Sequence, residues 1–307
     1  MDERLHAFAA SRGMVFSARD AATLGLEQPD LRRLLRGGHI VRVRRDAYVL
    51  GAAWVAAHPE ERLALRVRAV MRSRPGSIAA YQSALALHRL RLYRVSMSTV
   101  DLLGPVNRVR VAGALRVHPD WEGHDPQIAD GFRCVSIPDA IAQVGLRSGV
   151  MAAIVPLDAA LHDARCTITD VAHALAERAR RPKDHRIAEA ILEGADRRSE
   201  SSGESRARVI FADQGFEVIP QYEIRDDDGE VIGRADLLVD GVVTEIDGAV
   251  KYGGAQGRTA LIAEKRREDR IRALGYPMVR FMTSELDRPE VMVAAVRRAR
   301  RTGRSSA

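Results

Sequence analysis

The sequence predicts a multidomain α/β protein, and three observations predict it. The first fifty or so residues carry short apolar stripes of helical spacing, each stopped by glycine, and then an alternating run. A later stretch, "GRADLLVDGVVTEIDGAVKYGG", has alternating apolar and charged residues on both sides of Asp240-Gly241, the strongest short-range hairpin signal. Between them, "RRPKDHR" and "DRRSESSGES" are polar, helix-breaking segments that suit a linker. The expected domains are 1–52, 55–197 and 201–307.

In the head, Leu5, Phe8 and Ala9 stripe a first helix that Gly13 ends. "SARDAATLG" offers Ser17 as N-cap with Asp20 three residues later, and stops at Gly25. A third helix, "EQPDLRRLLRGG", buries Leu31, Leu34 and Leu35 and leaves Gln28, Asp30, Arg32, Arg33 and Arg36 exposed. "HIVRVRRDAYVLG" then alternates as a two-stranded ribbon with Arg42, Arg44 and Arg45 near its turn. Helix, turn, helix and basic wing make a winged helix-turn-helix. Such a unit places helix side chains against base edges in the major groove of double-stranded DNA and wing arginines on phosphate.

The middle segment reads as helices over "PEERLALRVRAVMRS" and "IAAYQSALALHRL", strands in "STVDLLG" and "VRVAGALRVHP", and helices around Asp139–Val144 and Met151–His162, without a catalytic constellation. The tail reads α-β-β-β-α-β with a closing basic helix. Ser201 or Ser202 caps its first helix and puts Glu204 in the first turn. Folding the hairpin about Asp240-Gly241 pairs Val239 with Val242, Leu237 with Thr244 and Ala235 with Ile246. Asp236 then lies opposite Glu245 and Arg234 opposite Asp247, so one face is core and the other ionic. Facing carboxylates repel unless a cation sits among them, and Mg²⁺ or Mn²⁺ would serve, with Asp236, Glu245 and Asp247 as ligands. Only three of the 48 basic residues are lysine, Lys183, Lys251 and Lys265, and Lys251 stands four residues past Asp247. A lysine kept there against a drift to arginine points to a compact charge beside the acids.

Net charge of +7 favours a polyanionic partner, nucleic acid more readily than membrane. Cys134 and Cys166 stand far apart without CxxC spacing, which fits packing roles in a reducing cytoplasm. The longest apolar stretch is broken by Pro156 and Asp158, so no membrane span is expected.

Two resemblances follow from these motifs. "GESRAR", "GRADLLV", "VVTEIDGAVKY", "EKRREDRIRALGY" and "VRFMTSEL" resemble the DUF559 group of very-short-patch-repair-like proteins in the PD-(D/E)xK restriction-endonuclease superfamily. "FAASRGMVFSARDAATLGLEQPDLRRLLRGGHIVRVRRDAYVL" is similar to the N-terminal part of AbiEi-type antitoxins of type IV toxin-antitoxin systems, and the likeness extends to about residue 165. The first resemblance implies a restriction-endonuclease-like tail with a metal site of Glu204, Asp236 and Glu245. Asp247 stands where the superfamily has its lysine, which leaves Lys251 to supply that charge. The second implies an antitoxin-like middle domain, transcription regulation through DNA and a cognate toxin as partner. Three functions are thus expected as rivals: a DNA-binding antitoxin or transcriptional regulator with a nuclease-like tail, a Mg²⁺- or Mn²⁺-dependent DNA endonuclease targeted by its winged helix, or an antitoxin whose tail only contacts a toxin.

Overall fold

The computed structural model describes residues 2–120, 125–248 and 256–304, the stretches 256–264 and 303–304 by backbone alone. The chain forms two compact units, Met1–Ala195 and Asp196–Ala307, in a mixed α/β architecture with three separate sheets among the described residues.

The first unit opens with α1 (Glu3–Ala10), β1 (Val15–Ser17), α2 (Ala18–Thr23), α3 (Gln28–Arg36), β2 (Ile40–Arg44) and β3 (Ala47–Leu50). Ser17 and Asp20 close a reciprocal capping box on α2, each side chain bonding the other's backbone N–H. The strands form an antiparallel sheet in the order β1-β3-β2. Its two faces serve different cores: Phe16, Tyr48 and Leu50 pack with Leu5, Leu31 and Leu34 of the helices. Val15, Ala47 and Val49 instead join the core of the following segment.

That segment runs α4 (Gly51–Ala56), α5 (Pro59–Arg72), β4 (Ile78–Ala79), α6 (Tyr81–Leu87), β5 (Val100–Gly104), β6 (Arg110–Ala112), β7 (Leu115–Pro119), β8 (Gln127–Ala129), β9 (Phe132–Cys134), α7 (Ile137–Ser148), α8 (Val150–His162), α9 (Ile168–Arg178) and α10 (Pro182–Gly194). Its six-stranded sheet has the order β6-β7-β5-β4-β9-β8. Residues 1–52 and 55–195, read from the sequence as parts of two domains (1–52 and 55–197), therefore fall in one compact unit, because the inner face of the head sheet is completed by α5. Arg72 of α5 also pairs with Asp20 at 2.5 Å. Two further readings need correction. "IAAYQSALALHRL" begins as a strand, β4, before turning into α6. "RRPKDHR" is no linker: Pro182 starts α10, where a missing N–H costs nothing, and Asp184 bonds back to the Arg181 N–H.

The second unit comprises α11 (Ser202–Asp213), β10 (Val218–Arg225), β11 (Val231–Val239), β12 (Val242–Asp247), α12 (Gln256–Ala273), β13 (Met278–Met282), a 3₁₀ turn at Thr283–Asp287 and α13 (Pro289–Arg304). The sheet order is β10-β11-β12-β13, antiparallel except for the parallel β12–β13 pair. Asp240 and Gly241 both take positive φ, 47° and 81°, as a two-residue hairpin turn of this hand requires. Phe211 of α11 and Val293 and Val296 of α13 pack on one face with Leu237 and Val239. Ile271 of α12 packs on the other with Val243 and Leu238. The face expected to be ionic is thus partly a second core. Among the described residues no helix is long and apolar enough to cross a membrane.

Candidate functional site

In the head, α3 buries Leu31 and Leu34 and exposes Gln28, Arg32, Arg33 and Arg36. Arg33 reaches Asp30 at 2.9 Å and Arg32 Nε approaches the Gln28 carbonyl at 3.4 Å, both on the helix surface. The ribbon turns at Arg45-Asp46, with Asp46 at φ 60°. Arg42 and Arg45 are exposed beside this turn. Arg44 is placed differently: half-buried, it donates from Nη1 to the Ala112 carbonyl at 2.8 Å, and burial together with the like charge of Arg74 lowers its pKa. Six of the seven expected contact residues therefore lie open to solvent, while the seventh ties the ribbon to β6.

In the tail, the hairpin has the counted register for its inner pairs, Val239–Val242, Leu238–Val243 and Leu237–Thr244. There the antiparallel ladder ends. Asp236 Oδ2 accepts the Ile246 N–H at 2.7 Å, taking the bond that a β11 carbonyl would otherwise receive, so the expected Asp236–Glu245, Ala235–Ile246 and Arg234–Asp247 ladder pairs do not form. Arg234 pairs instead with Glu200 at 2.8 Å. Beyond Thr244, β12 leans on β13, with Glu245 beside Arg280 and Asp247 beside Met282.

The acids do converge. Burial raises the Asp236 carboxyl first, and the charges of Glu204, Glu245 and Asp247 raise it further against the pull of the Ile246 N–H, so that it reaches about 6. Glu204 is buried in the first turn of α11, where its Oε2 accepts from the Glu200 N–H at 2.9 Å and from Gln221 Nε2 at 2.8 Å. Glu245, also buried, is clasped by two guanidinium groups, Arg267 at 2.5 Å and Arg280 at 2.7 Å. Arg280 Nε also stands 3.4 Å from Asp247. Lys251 lies outside the described residues.

Three residues that shape this cluster have no role in the sequence reading. Gly203 lets α11 approach β12: a Cβ there would lie 2.8 Å from Ile246 Cγ2. Gln221 holds a left-handed φ of 53° in the middle of β10 while its amide serves Glu204, and strain of this kind concentrates at functional sites. Arg280 reaches Glu245 through a parallel pairing that the spacing of residues does not announce. Arg267 reaches Glu245 from α12, a contact that the charged sequence of that helix does not announce.

Among the described residues no group of three or more His, Cys, Asp or Glu side chains is arranged to hold a metal ion. The two arginines compensate Glu245, and the Asp236 carboxyl is raised first by its burial and then by the charges of Glu204, Glu245 and Asp247. Asp236, Glu204 and Asp247 would be the groups to hold such an ion.

Residues 3–51 match a family described as "Transcriptional regulator, AbiEi antitoxin". The stretch covers α1 through β3. Two proteins of Mycobacterium tuberculosis, uncharacterized protein MT2308 of strain CDC 1551 / Oshkosh and uncharacterized protein Rv2248 of strain ATCC 25618 / H37Rv, are each 28% identical to this chain over 200 residues. The similarity covers 64% of this chain and 71% of each relative.

Proposed function

We propose that the chain is a DNA-binding transcriptional regulator of the antitoxin kind, with a winged helix-turn-helix head and a nuclease-like tail. The observation that carries the reading is the coincidence of two facts in one stretch. The family match at 3–51 covers α2, α3 and the β2–β3 ribbon, and there Gln28, Arg32, Arg33, Arg36, Arg42 and Arg45 stand exposed. In this reading α3 enters the major groove of double-stranded DNA, its arginines meet base edges, and Arg42 and Arg45 neutralise phosphate. A cognate toxin is the expected protein partner. The test is fluorescence anisotropy with a duplex taken from upstream of the protein's own gene. Arg32→Ala/Arg33→Ala should weaken binding by about 1 to 3 kcal/mol per lost base contact. Arg42→Ala and Arg45→Ala should each lower the slope of log K against log salt by about 1. Unchanged affinity in the double variant would sink the reading.

The raised Asp236 carboxyl supports a second reading, a Mg²⁺- or Mn²⁺-dependent DNA endonuclease targeted by the head. A divalent ion held by Asp236, Glu204 and Asp247 would relieve their repulsion and would supply Lewis-acid activation of water and phosphate. Millimolar Mg²⁺ or Mn²⁺ should then raise the Tm of the wild type and not of Asp236→Asn, and metal-dependent nicking of plasmid should vanish in that variant. Titration calorimetry that found undiminished metal binding in Asp236→Asn, or none in the wild type, would remove this reading.

A further inference from the structure

The first unit contains a cavity of about 960 Å³ that neither reading uses. Tyr81, His118, Arg147 and Arg180 line it together with apolar Leu103, Val109 and Leu146. Behind it lies Asp101, wholly buried on β5. Asp101 Oδ1 is 2.6 Å from His118 Nε2 and 2.6 Å from Arg147 Nη1, while Oδ2 accepts from Gln82 Nε2 at 2.6 Å. The Tyr81 ring is 4.4 Å from the His118 ring and 4.0 Å from the Arg147 guanidinium. One buried acid therefore orients two groups of the cavity wall, and Tyr81 is packed against both.

Stability does not account for this arrangement. A buried ion network loses hydration that its mutual attraction repays only in part, and apolar side chains of similar volume often hold a core as well or better. Tyr81 adds a second cost. It sits at φ 53°, a left-handed conformation unfavourable for a side chain of its size, with its N–H given to Gln143 Oε1 at 2.7 Å. Two local costs on one wall of one cavity mark a wall built for a purpose.

The chemistry of the wall says what would bind. Arg178 and Arg181 are committed to Asp139 and Asp184, at 2.6 and 3.0 Å. Arg180 is exposed, and among the described residues its guanidinium has no partner. His118 Nε2 and both Nη atoms of Arg147 are committed to the buried network, so these two groups shape the wall and hold Tyr81 in place. A cavity of this size, with a few convergent polar groups and an apolar remainder, suits a small organic molecule. We propose that it binds a small anionic effector, a phosphate or carboxylate carried on an apolar body, with Arg180 meeting the anion and Leu103, Val109, Leu146 and the Tyr81 ring packing the body.

Scanning fluorimetry of the full chain tests this, with a nucleoside monophosphate (AMP) and an aromatic carboxylate (salicylate) as probes for the two headgroups. At about 1 mM at least one probe should raise Tm by about 2 °C or more, and the arm that responds identifies the anion. Arg180→Glu, at an exposed and unpaired position, should keep the ligand-free Tm and abolish the shift. Arg147→Lys, which keeps the charge but loses the fork that spans Asp101 and Gln82, should weaken the response about tenfold. No shift with either probe in the wild type, or an undiminished shift in Arg180→Glu, overturns the proposal.

Discussion

Asp236 shows how one side chain can stabilise a strand and oppose its own ionisation. Its Oδ2 accepts the Ile246 N–H, which holds β12 where the ladder ends, while burial and three neighbouring acids raise its pKa to about 6 from an ordinary 3.8. The folded state therefore binds this proton more tightly than the unfolded chain. Stability from Asp236 is full below about pH 4 and is lost as pH rises through 6, a difference on the order of 2 to 3 kcal/mol. Asp236→Asn keeps an acceptor for Ile246 and removes the charge. Without divalent metal, urea denaturation should find this variant more stable than wild type at pH 7.5 and nearly equal to it at pH 4. The sequence revealed that Asp236 and Glu245 would be close, because hairpin register follows from Asp240-Gly241 and a period of two. It could not reveal the arginines on Glu245, since Arg267 and Arg280 arrive from a helix and a parallel strand whose docking leaves no local signal.

Elements were most legible where local chemistry closes on itself. Ser17 and Asp20 cap α2 across three residues, and Ser17→Ala should cost about 1 kcal/mol, read as a lower urea midpoint. They were least legible where the same residues serve two purposes. Pro182 among charges suggested a break, yet it is a helix start. "IAAY" suggested helix, yet Ile78 and Ala79 bridge β5 to β9 in the middle of a sheet whose partners are remote in the sequence. Gly203 is the position where element packing and the acid cluster meet. Alanine there would gain helix propensity but drive its Cβ into Ile246, and overpacking of this kind costs about 1 to 3 kcal/mol. Gly203→Ala should therefore destabilise the second unit, and most of the loss should disappear in an Ile246→Ala background, a coupling that a double-mutant cycle by urea denaturation would measure.

For the molecule as a whole, the head is not an independent module. Val15, Ala47 and Val49 complete the core of the segment that follows, and the Arg72–Asp20 and Arg44–Ala112 contacts bind the two together. A fragment of residues 1–52 should accordingly show no cooperative thermal transition by circular dichroism, whereas residues 1–195 should melt in one. Hydrophobic periodicity gives the helices and strands of the head but is silent on this, because a face that alternates inward looks the same whether its cover is its own helix or one further along the chain.

The parallel seating of β13 against β12 also sets an order in time. β10, β11 and β12 form a meander that can zip from local turns, but β13 is reached only across α12, so its pairing is a late, non-local event. Until it arrives, Glu245 carries a bare charge beside Asp236, and the half-made sheet repels itself. Arg280, the partner that β13 brings to Glu245, thus comes last. Glu245→Gln should unfold faster than wild type in stopped-flow experiments, because the Arg280 contact is absent from the transition state, and should refold faster because the half-made sheet no longer repels itself.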